Sequence, residues 1–471
     1  MEQERKLKLN VKNTFKIAFA FFGILMLWSV YNTYCPIILE AMLGPKHDYL
    51  VGVIMALDNV AALLIMPVFG KLSDKTNTKW GKRMPYIVIG MALTAVVFPF
   101  IALMCMWNSL AGVIVFMLLF LIIMQAYRNP AVALMPDITP KPLRSKANGI
   151  INLIGYIGGV FATVIGMLPF FKMNASSSLA DIQSKVLWPF AICTVVFIGV
   201  LIFLILKVKE KKLLDETKDD VAYGETLSDT EEIIDEDNRL SKTDKRNLLI
   251  ILAAVFLWFM SFNAFETFGS LFFKNVVGDS TLYSLMSTVL SVVSIVSFVL
   301  FSGLSSKIGR KWTVVIGIVS MVVSLGLMTV ISLAIKDGGF LAEGTDKVKF
   351  VWKLFFIAMS AIMGFGWALI NINSFPMVVE YSNSKNLGKF TGYYYMASML
   401  AQTITPILIG LIMDQNKLGQ RLLFVYSAIL MALAFLTFFF VKEKMTVKER
   451  LAKAKLENKK SALERLGDMD D

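Results

Sequence analysis

The sequence predicts an all-α polytopic membrane protein of twelve transmembrane helices in two pseudo-symmetric six-helix bundles. Three observations predict it. Apolar runs of about 20 residues, the length that crosses ~30 Å of hydrocarbon, recur along a chain that is 56% hydrophobic and only 17% charged, with a mean hydropathy of +0.65. Basic residues concentrate in alternate connections. Short motifs in the first half return in the second. The runs are continuous rather than alternating, which argues against a membrane β-barrel.

Taken in order, the first run, 15–39, follows a basic N-terminal segment. It is too long for a signal-peptide core and has no small-residue cleavage site after it, so it is read as retained. The second, 49–70, leads into the polar loop "GKLSDKTNTKWGKR" at 70–83, and the third, 84–106, begins beyond it. The fourth, 110–136, contains Arg128 and stops at Asp137; the fifth and sixth cover 147–172 and 186–207. A polar, mixed-charge segment at 208–245 then reads as a linker, flexible or with a short surface helix. Runs seven to twelve are 246–273, 280–303, 312–335, 350–378, 388–413 and 421–442. The tail, 443–471, is charged; Leu451, Leu456, Leu463 and Leu466 give it a weak amphipathic pattern, and a solvated tail is the simpler reading. The expected organisation is an N-terminal bundle at 1–207, the linker at 208–245, a C-terminal bundle at 246–442 and the tail at 443–471.

The net charge of +12 follows membrane topology rather than nucleic-acid binding. With the N-terminus inside, 36 of the 47 Lys and Arg residues fall in inner segments. The positive-inside rule therefore predicts that both termini are cytoplasmic, in a plasma-membrane protein. Cys35, Cys105 and Cys193 all lie in apolar runs and read as buried thiols, not disulfides. The single histidine, His47, sits in a short loop, which argues against histidine catalysis, a zinc cluster or a histidine proton relay. No phosphate-binding Gly-rich loop followed by Lys-Ser/Thr is present. The chain reads as no enzyme, with no cofactor and no nucleic-acid partner.

The two sets of six runs match each other. "VYNTY" at 30–34 pairs with "SFNAF" at 261–265, and "FGKLSDK" at 69–75 with "FSGLSSK" at 301–307. "GKR" at 81–83 pairs with "GRK" at 309–311. Asp137 and Gly149 are twelve residues apart, as are Glu380 and Gly392. Equivalent features at equivalent positions indicate an internal duplication, and paired six-helix halves with a binding site between them are a transporter arrangement.

On these motifs the chain resembles the major facilitator superfamily. The "WGKRMP" ending of the loop resembles, more narrowly, the glycoside–pentoside–hexuronide:cation symporters. "ALMPDITPKPLRSKANGIINLIGYIGG" at 133–159 is similar to plant sucrose symporters and their animal relatives, on Asp137, Arg144, Ala147 and Asn148. The resemblance covers all twelve runs in layout, while its sharp motifs occupy some 50 residues. There are departures. "AALLIMP" at 61–67 has no carboxylate where melibiose-type carriers place a pair, the nearest being Asp58. Val132 stands where sucrose carriers have an arginine, and Arg128 lies one turn deeper. The resemblance implies alternating-access transport of a mono- or disaccharide, with a co-transported proton or sodium ion, by a monomer in the lipid bilayer.

Candidate residues follow. In the loop, Gly70 and Gly81 are expected to turn the backbone, and Asp74 to pair with Lys75 or Arg83. The resemblance implies a gate there: Asp74 with Arg83, reaching towards Lys389 at the start of span eleven. Asp137 and Glu380 are expected to partner Arg144 and Lys389. Three charges lie inside apolar runs, Asp58, Arg128 and Glu266, each costing at least ~2.5–3.5 kcal/mol to insert unless it faces an inner cavity. An Asp58–Arg128 ion pair is expected, with Asp58 as the first coupling carboxylate and Glu266 as the alternative. A sugar needs amides, carboxylates and aromatics, and Tyr31, Asn32, Gln125, Tyr127, Arg128, Asn152, Tyr156, Asn263, Trp367, Asn371, Asn373 and Gln402 are expected to provide them. Trp258 joins them as the aromatic of span seven. The alternatives are a carrier or exporter of another small organic solute, or a transport-silent sensor with a transporter fold.

Overall fold

A computed structural model of the protein describes residues 7–232, 242–301, 304–335, 346–379, 381 and 387–442. Twelve of its helices are long and apolar enough to cross a membrane. They are α1 (Val11–Leu43), α2 (Asp48–Lys75), α3 (Met84–Met106), α4 (Leu110–Asp137), α5 (Arg144–Gly166) and α6 (Leu179–Lys207) in the first half. The second half has α7 (Lys242–Phe272), α8 (Thr281–Phe301), α9 (Arg310–Ala334), α10 (Asp346–Val379), α11 (Leu387–Gln415) and α12 (Leu422–Phe439). Each corresponds to one predicted run. Glu380 and the tail from residue 443 lie outside the described residues.

The duplication is visible in the packing. In the first half α1 packs on α5 and α6, α2 on α4, and α3 on α4 and α6. The same pairs recur in the second half: α7 on α11 and α12, α8 on α10, and α9 on α10 and α12. The halves meet where α2 lies against α11, α5 against α8, and α1 against α7. Two of these contacts, α2–α11 and α5–α8, exchange under the duplication. The bundle interiors are apolar and close-packed, with Phe98, Phe120, Phe190 and Phe197 in the first half and Phe268, Phe272, Phe356 and Phe424 in the second. All three cysteines are free and buried.

Small residues set the helix approaches. A Cβ at Gly158 would lie 2.1 Å from the Phe22 carbonyl oxygen, so only glycine allows the α1–α5 contact. Gly70 has a similar role. It lies inside α2 rather than in a turn, because that helix runs on to Lys75, and a Cβ there would meet the Asn129 amide at 2.5 Å. Gly81 is the glycine that turns, with φ at 115°.

The linker is more ordered than its composition suggests. Residues Glu210–Glu232 form a 23-residue helix packed on the 3₁₀ turn Lys141–Leu143. Its Leu213 and Thr217 are buried, and Glu216 accepts a hydrogen bond from Asn13 of α1 at 3.4 Å.

Two glycines test this packing. Gly158→Ala should lower the thermal unfolding midpoint in detergent by several degrees, since the clash is with backbone. Gly199→Ala, at a position with no neighbour within 4 Å, should leave the midpoint unchanged or raise it slightly through helix propensity.

Candidate functional site

A cavity of about 300 Å³ lies between the two halves. Its walls come from α1 (Trp28, Asn32), α5 (Tyr156, Thr163), α7 (Phe259, Phe262, Asn263, Glu266), α8 (Tyr283, Ser287), α10 (Trp367) and α11 (Gln402). The α1 and α7 contributions obey helical periodicity: Trp28 and Asn32 are four residues apart, and Phe259, Phe262, Asn263 and Glu266 sit at i, i+3, i+4 and i+7. Asn32 Nδ2 donates to Glu266 Oε1 at 3.2 Å across the halves. The repeat-matched residues Asn32 and Asn263 therefore line one site. The Asn263 side-chain oxygen has no hydrogen-bond partner among the described residues. Phe262 stacks on Trp367 with ring centroids 3.9 Å apart, and Phe259 meets the same indole edge-on at 5.4 Å. A carboxylate, several amides and hydroxyls and an aromatic wall thus converge on one space.

Six of the expected cavity residues line it: Asn32, Tyr156, Asn263, Glu266, Trp367 and Gln402. Others are turned elsewhere. Tyr31 is buried and stacked on Phe120 at 5.4 Å, within the first bundle. Tyr127 faces α3, where Gly90 admits its ring, and its hydroxyl contacts Met124 Sδ at 3.0 Å. Gln125 is buried away from the cavity. The Asn371 and Asn373 amides bond back to the Trp367 and Leu369 carbonyls at 2.8 and 3.0 Å. Asn152 is exposed one turn beyond Tyr156 on the same face of α5, outside the cavity lining. Trp258 is fully buried against Phe438 of α12; Phe259 and Phe262 are the α7 aromatics that face the cavity.

The expected Asp58–Arg128 ion pair is not formed; no nitrogen–oxygen contact within 4.0 Å joins the two side chains. Asp58 accepts from the neighbouring Asn59 amide instead. The Arg128 guanidinium lies over the Trp28 ring, 5.9 Å from its centroid, on a residue that lines the cavity. Asp58 remains within electrostatic range of both Arg128 and Glu266. No ion pair joins any two of the three intramembrane charges, Asp58, Arg128 and Glu266.

The loop beyond α2 forms a compact cluster. Arg83 is buried. It pairs with Asp74, donates to Ser73, and binds Asp137 at 3.0 Å, while Lys82 reaches Asp137 at 3.1 Å. Burial works against the Arg83 charge, but its bonds to Asp137 and Asp74 outweigh that and hold its pKa above the ordinary value. Arg144 does not join Asp137. It opens α5 directly after the tight turn at 141–143, so its side chain folds back onto the carbonyls of Thr139 and Pro136, both at 3.2 Å. Lys389 lies 5.8 Å from the centroid of the Tyr393 ring on its own helix and does not reach Asp74 or Arg83.

Glu210, the first residue of the linker helix, was not anticipated. It is fully buried. Its carboxylate accepts the backbone N–H groups of Lys82, Arg83 and Met84 at 2.9, 2.9 and 2.7 Å. These are free donors at the start of α3, and an anion is favoured there. Gly81 is needed beside it, since a Cβ would lie 2.2 Å from the carboxylate. No local sequence signal places residue 210 opposite residue 83.

At the opposite face a second polar group spans the halves. Lys274 binds Glu40 at 2.6 Å, and Asn275 donates to the same carboxylate. Both come from a wide π-helical turn, Phe273–Val277, that ends at Gly278 with φ at 87°. Gln420 donates to Glu40 and Asp48 at 3.2 and 2.9 Å. Asp414 of α11 accepts the first N–H groups of α2, those of Asp48 and Tyr49, at 2.9 and 2.8 Å. Lys172 pairs with Asp279 at 3.1 Å. A Cβ at Gly52 would lie 2.0 Å from the Pro406 carbonyl oxygen, so α2 and α11 touch backbone to backbone there. Hydrogen bonds and ion pairs join described residues across the halves at this face and at mid-depth. None of these bonds lies at the face that carries the 76–83 loop.

The comparisons agree with this geometry. The family model of the Major Facilitator Superfamily matches residues 17–342 and 277–467. The chain belongs to the major facilitator superfamily. Its members are transporters rather than enzymes, and this protein is a multi-pass membrane transporter with twelve spans. No curated protein matches the chain. Among solved structures it is similar in fold to a D-xylose-proton symporter, with 13% identity, 91% of this chain and 97% of that one covered, and a TM-score of 0.62. A bacterial homologue of the human lysosomal transporter Spinster, in an inward-facing and occupied conformation, gives 11%, 93%, 97% and 0.64. The nucleoside transporter NupG gives 14%, 91%, 100% and 0.58.

Two outcomes check the clusters. Glu210→Ala should destabilise the protein by about 1–2 kcal/mol through loss of the helix cap, measured by thermal unfolding, with Glu210→Gln less affected. Lys274→Ala leaves Glu40 without its cation and should shift the population towards opening of the opposite face by on the order of tenfold. Spin labels on Ala175→Cys and Lys417→Cys would report a longer distance; an unchanged distance would remove the lock.

Proposed function

We propose that this transporter moves a sugar or glycoside by alternating access, coupled to a proton, and belongs to the branch resembling the glycoside–pentoside–hexuronide and sucrose symporters. The Asn32–Glu266 hydrogen bond inside the cavity carries the reading. It places a carboxylate where solute binds and ties it to the other half of the protein. A proton on Glu266, or a solute hydroxyl inserted between it and Asn32, changes how the halves are held together. That is the requirement for coupling solute to ion.

The cavity suits the substrate class. Its volume of about 300 Å³ is at the small end for small-molecule sites, in keeping with a mono- or disaccharide. The aromatic wall offers a platform for apolar ring faces, and Asn32, Asn263 and Gln402 offer amides for hydroxyls. Glu266 is the single carboxylate among the lining residues, an arrangement that suits a proton better than a sodium ion. Similarity in fold to a D-xylose-proton symporter is compatible with this reading. The Phe262–Trp367 stack favours a second reading, a solute with a planar ring.

The concentration of basic residues in alternate connections supports a cytoplasmic position for the face with the 76–83 loop, in a plasma-membrane protein. The structure then corresponds to a state closed outside, with the Asp74–Arg83–Asp137 cluster released from the second half. The protein works as a monomer without a cofactor.

Radiolabelled disaccharide uptake into proteoliposomes under separate proton and sodium gradients tests the proposal. Uptake should follow the proton gradient. Glu266→Gln should lose gradient-driven accumulation and keep counterflow exchange, whereas Asp58→Asn should keep both. Normal accumulation by Glu266→Gln would remove the coupling role from that residue. Loss of coupling in Asp58→Asn alone would return it to Asp58.

A further inference from the structure

A second cavity lies on the outer surface of the first half. It is a groove of about 470 Å³ between α2, α3 and α4, lined by Phe69, Thr76, Tyr86, Ile89, Leu93 and Ala126, among others. Ile89 and Leu93 are 60% and 48% exposed, so the groove opens towards lipid. It is a built feature rather than a ripple between helices. Gly90 admits the Tyr127 side chain, which forms one wall, and the Tyr127 hydroxyl is turned away to Met124.

The polar end of the groove is distinctive. Thr76 and Pro85 both line it, so the intervening loop 77–84 closes that end by chain connectivity. Lys75, next to the lining residue Thr76, and Lys79, in that loop, are both exposed, and neither is within 4.0 Å of a carboxylate among the described residues. Trp80 is 56% exposed beside them, as an aromatic at headgroup level would be. Within the groove, the Thr76 and Tyr86 hydroxyls lie 2.7 Å apart, a polar pair at the boundary between loop and apolar wall. An apolar slot with hydroxyls at its loop end, adjoined by two lysines exposed in the chain that closes it, suits an acyl chain joined to an anionic phosphate.

We propose that this groove is a specific site for an anionic phospholipid, with an acyl chain between α2, α3 and α4 and the headgroup phosphate on Lys75 and Lys79. The site is separate from the solute cavity and shares only the loop that carries Arg83. Occupancy therefore bears on that loop and not on the solute-binding residues.

Native mass spectrometry of the purified full-length protein tests it, with phosphatidylglycerol and phosphatidylcholine titrated separately and inorganic phosphate as competitor. Phosphatidylglycerol should be retained in preference to phosphatidylcholine, and phosphate should not displace it. The Lys75→Gln/Lys79→Gln variant should weaken phosphatidylglycerol binding by about thirtyfold, the equivalent of about 1 kcal/mol for each lysine. Ala126→Phe, which fills the groove, should abolish retention. Equal retention of both lipids, displacement by phosphate, or unchanged binding in the double lysine variant would each overturn the proposal. These readouts do not depend on solute transport, so they stand apart from the outcome of the uptake experiment.

Discussion

An ionised side chain inside hydrocarbon must find a partner or a wet cavity, and this protein meets that constraint at the seam between its two bundles. Glu266 is held by Asn32 of the other half, Arg128 lies against an indole that lines the shared cavity, and Asp58 sits within reach of both their fields. The bundle interiors are filled by Phe, Leu and Met, and of the three only Glu266 bonds across the halves. The cost of burying charge thus creates a polar seam, and a polar seam between two rigid halves is a place for solute to bind and for the halves to separate.

The two faces of the seam are built differently. The face holding Glu40, Lys274 and Gln420 is knitted by ion pairs, amide contacts and backbone approaches at Gly52 and Gly410. The other face has a dense cluster around Arg83, but all its partners belong to the first half and the linker helix. Among the described residues, one face is fastened across the halves while the Arg83 cluster is organised within a single half and the linker helix. Glu210 extends that organisation. It makes the linker a brace on the start of α3 rather than a slack tether, because three backbone donors at a helix start are costly to leave unpaired.

Much of the site was legible in the sequence where periodicity and the repeat spoke together. Asn32 and Asn263 occupy matched positions in "VYNTY" and "SFNAF", and both line the cavity. Residue type alone served less well. Tyr127 and Trp258 have the chemistry of a sugar site but pack against α3 and α12, away from the cavity, while Trp28 and Phe262 line it. Helical phase was the signal that separated them: Trp28 lies one turn before Asn32, and Phe259 one turn before Asn263. The Asp58–Arg128 pair failed for a related reason. Lying inside apolar runs of the same half does not make two side chains face each other.

By itself the sequence determined the twelve spans, the two-fold repeat and the loop that bears Asp74 and Arg83. Each is a local property of hydropathy, motif and spacing, and the bilayer imposes it on any chain of this pattern. Only the tertiary structure decided which face is fastened, which charges touch and which aromatics line the cavity. Those depend on helix rotation and on contacts between residues far apart in the chain. Glu40 meets Lys274, and Glu210 meets the backbone of Arg83, because packing brings them together, and no local pattern records that.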